Sequence, residues 1–188
     1  RLDFIRDICK QQGKEFEFAF LLDALEEEQD QGITIDTSQI FFHTAQRKYV
    51  IIDAPGHKEF LKNMVTGAAD AEAALLLIDA NEGVQEQSRR HGYILKLLGL
   101  TQVAVVINKM DLKGYDEKIY NNIRSEYTSF LNSLGIEARE FIPVSAKLGI
   151  NIAASKAEMP WYKGPTVLSM LDQFEKKPPQ DHLPFRFP

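Results

Sequence analysis

Two uninterrupted apolar runs constrain the fold of this chain more than any other sequence feature. The runs at residues 74–78 and 103–107 carry no polar residue, so they do not alternate as a strand with one solvent-facing side does. Runs of this kind are typical of parallel strands that helices cover on both faces. Longer stretches with helical spacing follow them, which indicates repeated strand–helix–strand units. The sequence therefore predicts an α/β fold with a doubly wound, mostly parallel sheet in which these two strands are central.

The remaining predicted elements surround these two strands. Strands are predicted at residues 33–43, 49–53, 73–79, 102–108 and 140–143. Helices are predicted at residues 2–11, 16–29, 58–69, 85–98, 116–134 and 166–175. The first two strands are separated by too few residues for a crossover helix, so they should pair antiparallel as an edge hairpin.

Composition favours a single globular domain in a reducing compartment. The chain has 188 residues, 44% of them apolar, which is enough for one sizeable core. Cys9 is the only cysteine, which excludes an intramolecular disulfide and favours the cytoplasm. A membrane span needs about 18 apolar residues, far more than the longest apolar stretch here, so no membrane association is expected. The net charge of −5 argues against a broad nucleic-acid surface.

A carboxylate ends the strand at 49–53 and begins a short loop, Asp53-Ala54-Pro55-Gly56-His57. A carboxylate at the carboxyl end of a strand lies on the rim where open α/β sheets bind ligands, and there it suits Mg²⁺ bound through water. Gly56 lets a backbone N–H approach a phosphate without a Cβ clash. Taken alone, Asp53 fits a cap for the following helix better than a metal site.

A second polar loop, Asn108-Lys109-Met110-Asp111, follows the strand at 102–108. The Asp111 carboxylate offers two acceptors spaced to bind N1–H and N2–H of guanine together, a pair of donors that adenine lacks. Asn108 is placed to brace the loop, and Lys109 to lie along the base. The alternative is an ordinary polar turn after a strand.

Two weaker motifs complete the set. Ser145-Ala146-Lys147 follows the strand at 140–143, where backbone N–H groups are expected to meet guanine O6, although small polar loops are common. Gly32-Ile33-Thr34-Ile35 precedes the edge hairpin, where the Thr34 hydroxyl is expected to close on Mg²⁺ and a terminal phosphate. Its alternative is an ordinary β-branched start of a strand. The order of all four motifs, each at the rim of the sheet, carries more weight than any one of them.

Together these motifs resemble the GTPase domain of translation-factor-type GTPases, over essentially the whole chain. Residues 32–35 resemble switch I, residues 53–57 resemble switch II, and residues 108–111 and 145–147 resemble the base-recognition loops. The resemblance implies a P-loop GTPase fold and hydrolysis of GTP with Mg²⁺.

The resemblance also implies a role for each motif residue. Thr34 would sense the γ-phosphate and, with Asp53, support Mg²⁺, while Gly56 would report the phosphate. His57 would position the attacking water. The residues that would select guanine are Asn108, Lys109, Asp111, Ser145 and Ala146. The remaining nucleotide-binding residues of these loops would be Ala54, Pro55, Met110 and Lys147.

Finer features resemble one branch of this family. Residues 28–36, 82–91 and 159–166 look most like the large, GTP-hydrolysing subunit of sulfate adenylyltransferase. That likeness implies a small catalytic subunit as partner, which forms adenylyl sulfate from ATP and sulfate during sulfate assimilation. Ala54 is closer to elongation factor 1-alpha, because the sulfate enzyme more usually has Thr there. The alternatives are therefore a translation GTPase that delivers aminoacyl-tRNA, and a non-enzymatic scaffold.

The sequence lacks a Gly-rich phosphate-binding loop. Its one Gly-Lys pair, Gly13-Lys14, has Ile8 and Glu15 where such a loop needs Gly and Ser or Thr. The family carries that loop on a first strand located before residue 2. Residues 1–176 are thus expected to be a GTPase domain without its P-loop and first strand, and residues 177–188 a linker toward a β-barrel domain. Residues 1–188 alone are expected to bind GTP weakly or not at all.

Two other groups of residues have simpler interpretations. Arg89, Arg90 and His91 fit a solvated helix face, with contact to a partner subunit as the alternative. Trp161 and Tyr162 fit a packing anchor better than a ligand platform. No spacing of His and Cys suggests zinc.

Overall fold

The structure, a computed structural model, describes residues 37–56, 58–69, 71–155 and 157–176 of the 188. The predicted helices at 2–11 and 16–29, Thr34, His57 and the segment 177–188 lie outside these residues. In chain order the elements are β1 (Ser38–His43), β2 (Lys48–Asp53), a 3₁₀ turn (Lys58–Phe60), α1 (Leu61–Ala69), β3 (Ala74–Asp79), α2 (Glu86–Leu97), β4 (Val103–Asn108), a 3₁₀ turn (Met110–Lys113), α3 (Glu117–Ser133), β5 (Ala138–Pro143) and α4 (Val167–Gln173).

Side-chain caps determine where two of the helices begin. Asp116 Oδ1 accepts a hydrogen bond from the Lys118 N–H at 2.7 Å, and Thr166 Oγ1 accepts one from the Ser169 N–H at 3.2 Å. A capping residue keeps an extended backbone while its oxygen satisfies an amide of the first turn. Consequently α3 and α4 each begin one residue later than the sequence predicted.

The described strands form two sheets. β1 pairs with β2 antiparallel, with Ser38 opposite Asp53, which confirms the predicted hairpin. β3, β4 and β5 pair in that order as a parallel sheet, which confirms the predicted strand direction. Helices α2 and α3 pack on one face of the parallel sheet, and α4 packs on the other. The fold is therefore the predicted doubly wound α/β arrangement. None of the helices that the structure describes is long and apolar enough to cross a membrane.

The two apolar runs differ in how far they are buried. In β4, residues 103–107 are all at most 5% exposed, as expected for a central strand with helices on both faces. β3 was also expected to be central, but among the described residues it is the edge strand of its sheet. Leu76 and Ile78 face the core, whereas Leu77 points to the opposite face and is 60% exposed. A strand on the other side of β3 would involve residues outside those described, so its central position stays a prediction.

The hairpin is held against α4 by side chains. Arg47 Nη1 donates to Phe174 O at 2.7 Å, and Arg47 Nη2 donates to Asp172 O at 3.0 Å. The Asp172 carboxylate accepts from Thr44 Oγ1 at 2.9 Å and also from the Tyr49 hydroxyl. No strand ladder joins the two sheets among the described residues, so these hydrogen bonds tie the hairpin turn to the last helix.

An aromatic cluster anchors the loop before α4. Trp161 Nε1 donates to Tyr115 O at 3.0 Å, and the Trp161 ring lies 5.1 Å from the ring of Tyr120. The Tyr120 hydroxyl donates to Phe141 O of β5 at 2.9 Å. These contacts confirm that Trp161 and Tyr162 are packing residues.

Candidate functional site

The loops that carry the predicted base-recognition residues leave one rim of the parallel sheet. Asp79 and Asn108 are register partners at the carboxyl ends of β3 and β4. Val144 N donates to Ile107 O at 2.8 Å, and Met110 N donates to Val144 O at 3.1 Å. Because the strands are parallel and in register, the turn after β4 and the loop after β5 emerge side by side.

The Asn108 side chain joins these two loops. Its Oδ1 accepts from the Lys109 N–H at 2.7 Å and from the Ala146 N–H at 3.0 Å. One carboxamide oxygen therefore sets the distance between segments that are 38 residues apart in the chain. Met110, which is fully buried, fixes the same turn in the core.

Lys109 adopts a backbone conformation that is uncommon for a side chain of this size. Its φ of 62° and ψ of 32° lie in the left-handed region, which costs on the order of 1–2 kcal/mol for a residue other than Gly. Residues held in that region cluster at functional sites. The Lys109 Nζ lies 2.7 Å from Asp79 Oδ2, so the side chain extends back over the end of β3.

The ion pair shifts both titrating groups toward their charged forms. The hydrogen bond to Asp79 raises the pKa of Lys109. Partial burial acts to raise the pKa of Asp79, but hydrogen bonds from Lys109 and from the Asn81 backbone outweigh burial and lower this pKa. The Asp79 carboxylate is therefore already satisfied by protein donors, whereas Asp111 is not.

Asp111 and Ser145 are polar groups with unused hydrogen-bonding capacity. The Asp111 carboxylate is half-buried and accepts no hydrogen bond from any residue that the structure describes. The Ser145 hydroxyl is fully buried and likewise has no partner among the described residues. A buried hydroxyl without a partner is uncommon and costs free energy. The Asp111 carboxylate, which is partly accessible, suits a polar ligand that presents hydrogen-bond donors at this rim.

The backbone amides of the loop after β5 differ from the expectation. Ser145 N donates to Ile150 O at 3.3 Å, and Ala146 N donates to Asn108 Oδ1. Both were expected to meet guanine O6, but internal acceptors already occupy them in this structure. Lys147, which is exposed, has a backbone N–H with no acceptor among residues 37–56, 58–69, 71–155 and 157–176.

The loop that follows β2 supplies the second half of the site. Asp53 is half-buried at the end of β2, Pro55 is buried, and Gly56 is half-buried. His57 and Thr34, which were predicted to join Asp53, lie outside the described residues. The described residues hold no cluster of three or more His, Cys, Asp or Glu with metal-binding geometry. Asp53 is thus the one predicted Mg²⁺ residue whose place the structure describes.

His91 of α2 contacts this loop, which the sequence did not predict. Its Nε2 lies 3.0 Å from Gly56 O, and since a carbonyl only accepts, the ring nitrogen is the donor. Burial lowers the pKa of His91 below its ordinary value, so the ring is neutral at pH 7. Arg89 and Arg90, by contrast, form ion pairs with Glu126 and Glu86 and match the predicted surface role. Gln87 and His91 are one helical turn apart and lie on one side of α2, and this spacing was the sequence signal available for a shared contact.

A cleft of about 620 Å³ lies beside the residues that support the two halves of the site. Its lining includes Asp79, which holds Lys109, and His91, which holds Gly56. The cleft lies between the end of β3 and the first turns of α2, and the exposed side chain of Leu77 forms part of its wall.

Comparison with known proteins supports one family. The sequence model of the elongation factor Tu GTP binding domain matches residues 3–177. Sulfate adenylyltransferase subunit 1 of Citrobacter koseri is 46% identical over 178 residues, 94% of this chain and 38% of that protein. Elongation factor 1-alpha of Methanosphaerula palustris is 42% identical over 190 residues, 100% of this chain and 45% of that protein. The bifunctional enzyme NodQ of Rhizobium meliloti is 44% identical over 176 residues, 94% of this chain and 28% of that protein.

Solved structures give the same result for the fold. The bacterial selenocysteine-specific elongation factor EF-Sec superposes with a TM-score of 0.62 at 32% identity, over 68% of this chain and 22% of that chain. Sup35 complexed with GDP superposes with a TM-score of 0.60 at 23% identity, over 89% of this chain and 39% of that chain, a likeness of fold alone. The chain spans less than half the length of each of these relatives.

Proposed function

This chain belongs to the family of the elongation factor Tu GTP-binding domain, and from that membership we propose that it binds and hydrolyses GTP at the rim described above. The observation that carries the proposal is the Asn108 carboxamide, which holds the two predicted base-recognition loops together through the Lys109 and Ala146 amides. Preorganised loops of this kind lower the cost of ordering a site when the ligand binds.

The polar groups that remain available in the candidate base pocket suit guanine. The half-buried Asp111 carboxylate, with no competing donor among the described residues, accepts from N1–H and N2–H together. Lys109, held by Asp79, lies along the base, beside the loop at residues 145–147 that Asn108 holds. Adenine presents no matching pair of donors, so Asp111 selects against ATP.

The phosphate side rests on the loop after β2 and on switch I. In this proposal Gly56 lets its backbone approach the γ-phosphate, His57 positions the attacking water, and Thr34 closes over the phosphate. Asp53 fits a Mg²⁺ site through an intervening water, because a carboxylate at the rim is the hard oxygen ligand that this cation prefers. When bound, Mg²⁺ would neutralise charge on the phosphates.

For the whole protein we propose the role of the GTP-hydrolysing subunit of a sulfate adenylyltransferase. The likeness to sulfate adenylyltransferase subunit 1 and to NodQ supports this role. The partner would then be a small catalytic subunit that forms adenylyl sulfate from ATP and sulfate, and the complex would work in the cytoplasm. A second candidate, delivery of aminoacyl-tRNA, is supported by the 42% identity to elongation factor 1-alpha over 100% of the chain.

Nucleotide binding to the full-length protein tests the shared part of the proposal. A fluorescent GTP analogue should bind and be displaced by GTP and GDP, and not by ATP at the same concentration. His57→Ala should slow hydrolysis far more than it weakens GTP binding, because the residue acts on the water and not on the base. Equal displacement by GTP and ATP would refute the proposed base site, and a full turnover rate in His57→Ala would remove His57 from the mechanism.

A second experiment separates the two roles. Affinity purification of the full-length protein should recover an adenylyltransferase subunit, and the purified complex should form adenylyl sulfate faster when GTP is present. Retention of aminoacyl-tRNA on filters, with no GTP-dependent adenylyl transfer, would favour the translation role instead.

A further inference from the structure

Helix α2 is a rigid support on one side of the site. The buried Tyr127 hydroxyl of α3 donates to Ser88 O of α2 at 2.6 Å, and Arg89 pairs with Glu126 of α3 at 2.6 Å. Gly92 lies so close to α3 that an added Cβ would come within 2.8 Å of Phe130 Cε1. Backbone contact, a buried hydrogen bond and an ion pair together fix α2 on α3.

The loop after β2 packs directly on α2. A Cβ added at Gly56 would lie 2.9 Å from Gln87 Nε2 and 3.3 Å from His91 Cε1, so the glycine backbone fills the space beside these two side chains. Of the two, His91 makes the hydrogen bond, with Nε2 donating to Gly56 O at 3.0 Å. The bond joins residues 35 apart in the chain and is partly shielded from solvent.

The accepting carbonyl occupies a critical place in the chain. The carbonyl carbon of Gly56 is bonded to the nitrogen of His57, so both belong to one planar peptide unit. A hydrogen bond to the Gly56 oxygen therefore restrains the backbone at the residue that directly precedes His57 in the sequence. His91 itself is half-buried and lies on a helix that α3 holds in place.

We propose that His91 is a positioning residue for GTP hydrolysis, because its Nε2–H holds the Gly56 carbonyl, and with it the backbone that leads into His57, against α2. This inference rests on the proposed function. It assigns His91 no contact with the nucleotide, so its removal should reduce the rate of the chemical step and leave affinity for the nucleotide nearly unchanged.

Two substitutions separate the hydrogen bond from simple packing. His91→Phe keeps a planar ring of similar size but has no donor, whereas His91→Gln keeps an N–H donor on a side chain that can reach the same carbonyl. Arg90→Gln is the matched control on the same helix, because Arg90 pairs with Glu86 within α2 and makes no hydrogen bond to residues 53–56.

The assay is single-turnover hydrolysis at saturating GTP in the full-length protein, together with the affinity for GDP. His91→Phe should lower the rate by about two- to tenfold, the range that loss of one hydrogen bond produces, while the affinity for GDP stays within about twofold. His91→Gln and Arg90→Gln should keep the rate within about twofold of the original.

Hydrogen exchange gives a second measurement that does not depend on catalysis. The backbone amides of Ala54 and of residues 56–60 should exchange faster in His91→Phe than in His91→Gln if the donor holds the loop. A wild-type rate in His91→Phe would overturn the inference. It would also be overturned if His91→Gln were as slow as His91→Phe, or if the affinity for GDP fell as far as the rate. Loss of guanine preference in the unmodified protein would instead refute the proposed function.

Discussion

Replacing Asn108 with alanine should loosen the two loops that form the candidate base pocket. The substitution removes the one acceptor shared by the Lys109 and Ala146 amides, at 2.7 and 3.0 Å. It leaves β4 intact, because the backbone of Asn108 still pairs in the sheet. The structural damage should therefore be confined to the rim.

The size of the effect follows from how exposed the two donors are. Two net hydrogen bonds are together worth about 1–3 kcal/mol in a folded protein. Lys109 and Ala146 are both exposed, so water replaces part of what the side chain supplied. We therefore expect the free energy of unfolding to fall by about 1 kcal/mol, at the lower end of that range.

Asn108→Asp is the matched control, because its carboxylate keeps an oxygen acceptor in the same place. Urea unfolding should show a lower midpoint for Asn108→Ala and a change below about 0.5 kcal/mol for Asn108→Asp. The Ala146 amide should exchange with solvent faster in the alanine variant only, and the affinity for GDP should fall with it. An unchanged midpoint together with unchanged exchange at Ala146 would refute the claim that Asn108 connects the loops.

Three further predictions concern the base, the support of α2 and pH. Asp111→Asn should shift binding preference from GTP toward xanthosine triphosphate, because the pair of acceptors becomes one acceptor and one donor. Competition between the two nucleotides measures this shift, and an unchanged preference would contradict the role of Asp111. Tyr127→Phe should lower the free energy of unfolding by about 1 kcal/mol, because it removes the hydrogen bond to Ser88 O. Tyr93 has an exposed side chain, so Tyr93→Phe should change this free energy by less than about 0.5 kcal/mol in the same denaturant titration. Burial lowers the pKa of His91, so the imidazole binds a proton more tightly in the unfolded chain than in the folded one. The free energy of unfolding should therefore fall as pH drops from about 6.5 toward the folded pKa. His91→Gln should remove that part of the dependence of stability on pH.

Local patterns predicted those features whose cause is local. The run at 103–107 indicated a strand buried on both faces, and β4 is such a strand. The short gap at residues 44–47 indicated a hairpin, and β1 and β2 form one. In both cases neighbouring residues determine the result, so the sequence was sufficient.

Features that depend on distant contacts were not predictable in the same way. The 60% exposure of Leu77 depends on what packs on its face of β3, which periodicity does not encode. The contact of His91 with Gly56 joins residues 35 apart. His91 follows Arg89 and Arg90, so the sequence favoured a solvated helix face there. The internal bond of the Ala146 amide depends on the fold of two separate loops.

The hydrogen bonds of Arg47 with α4 give the hairpin an unusual mechanical position. β2 begins beside the turn that Arg47 anchors, and it ends at Asp53. A force on the end of α4 would pass through the hydrogen bonds of Arg47, Thr44 and Tyr49 into the hairpin, and then along β2 to the loop at residues 53–56. A displacement of α4 would thus be transmitted through the hairpin to the loop that follows β2.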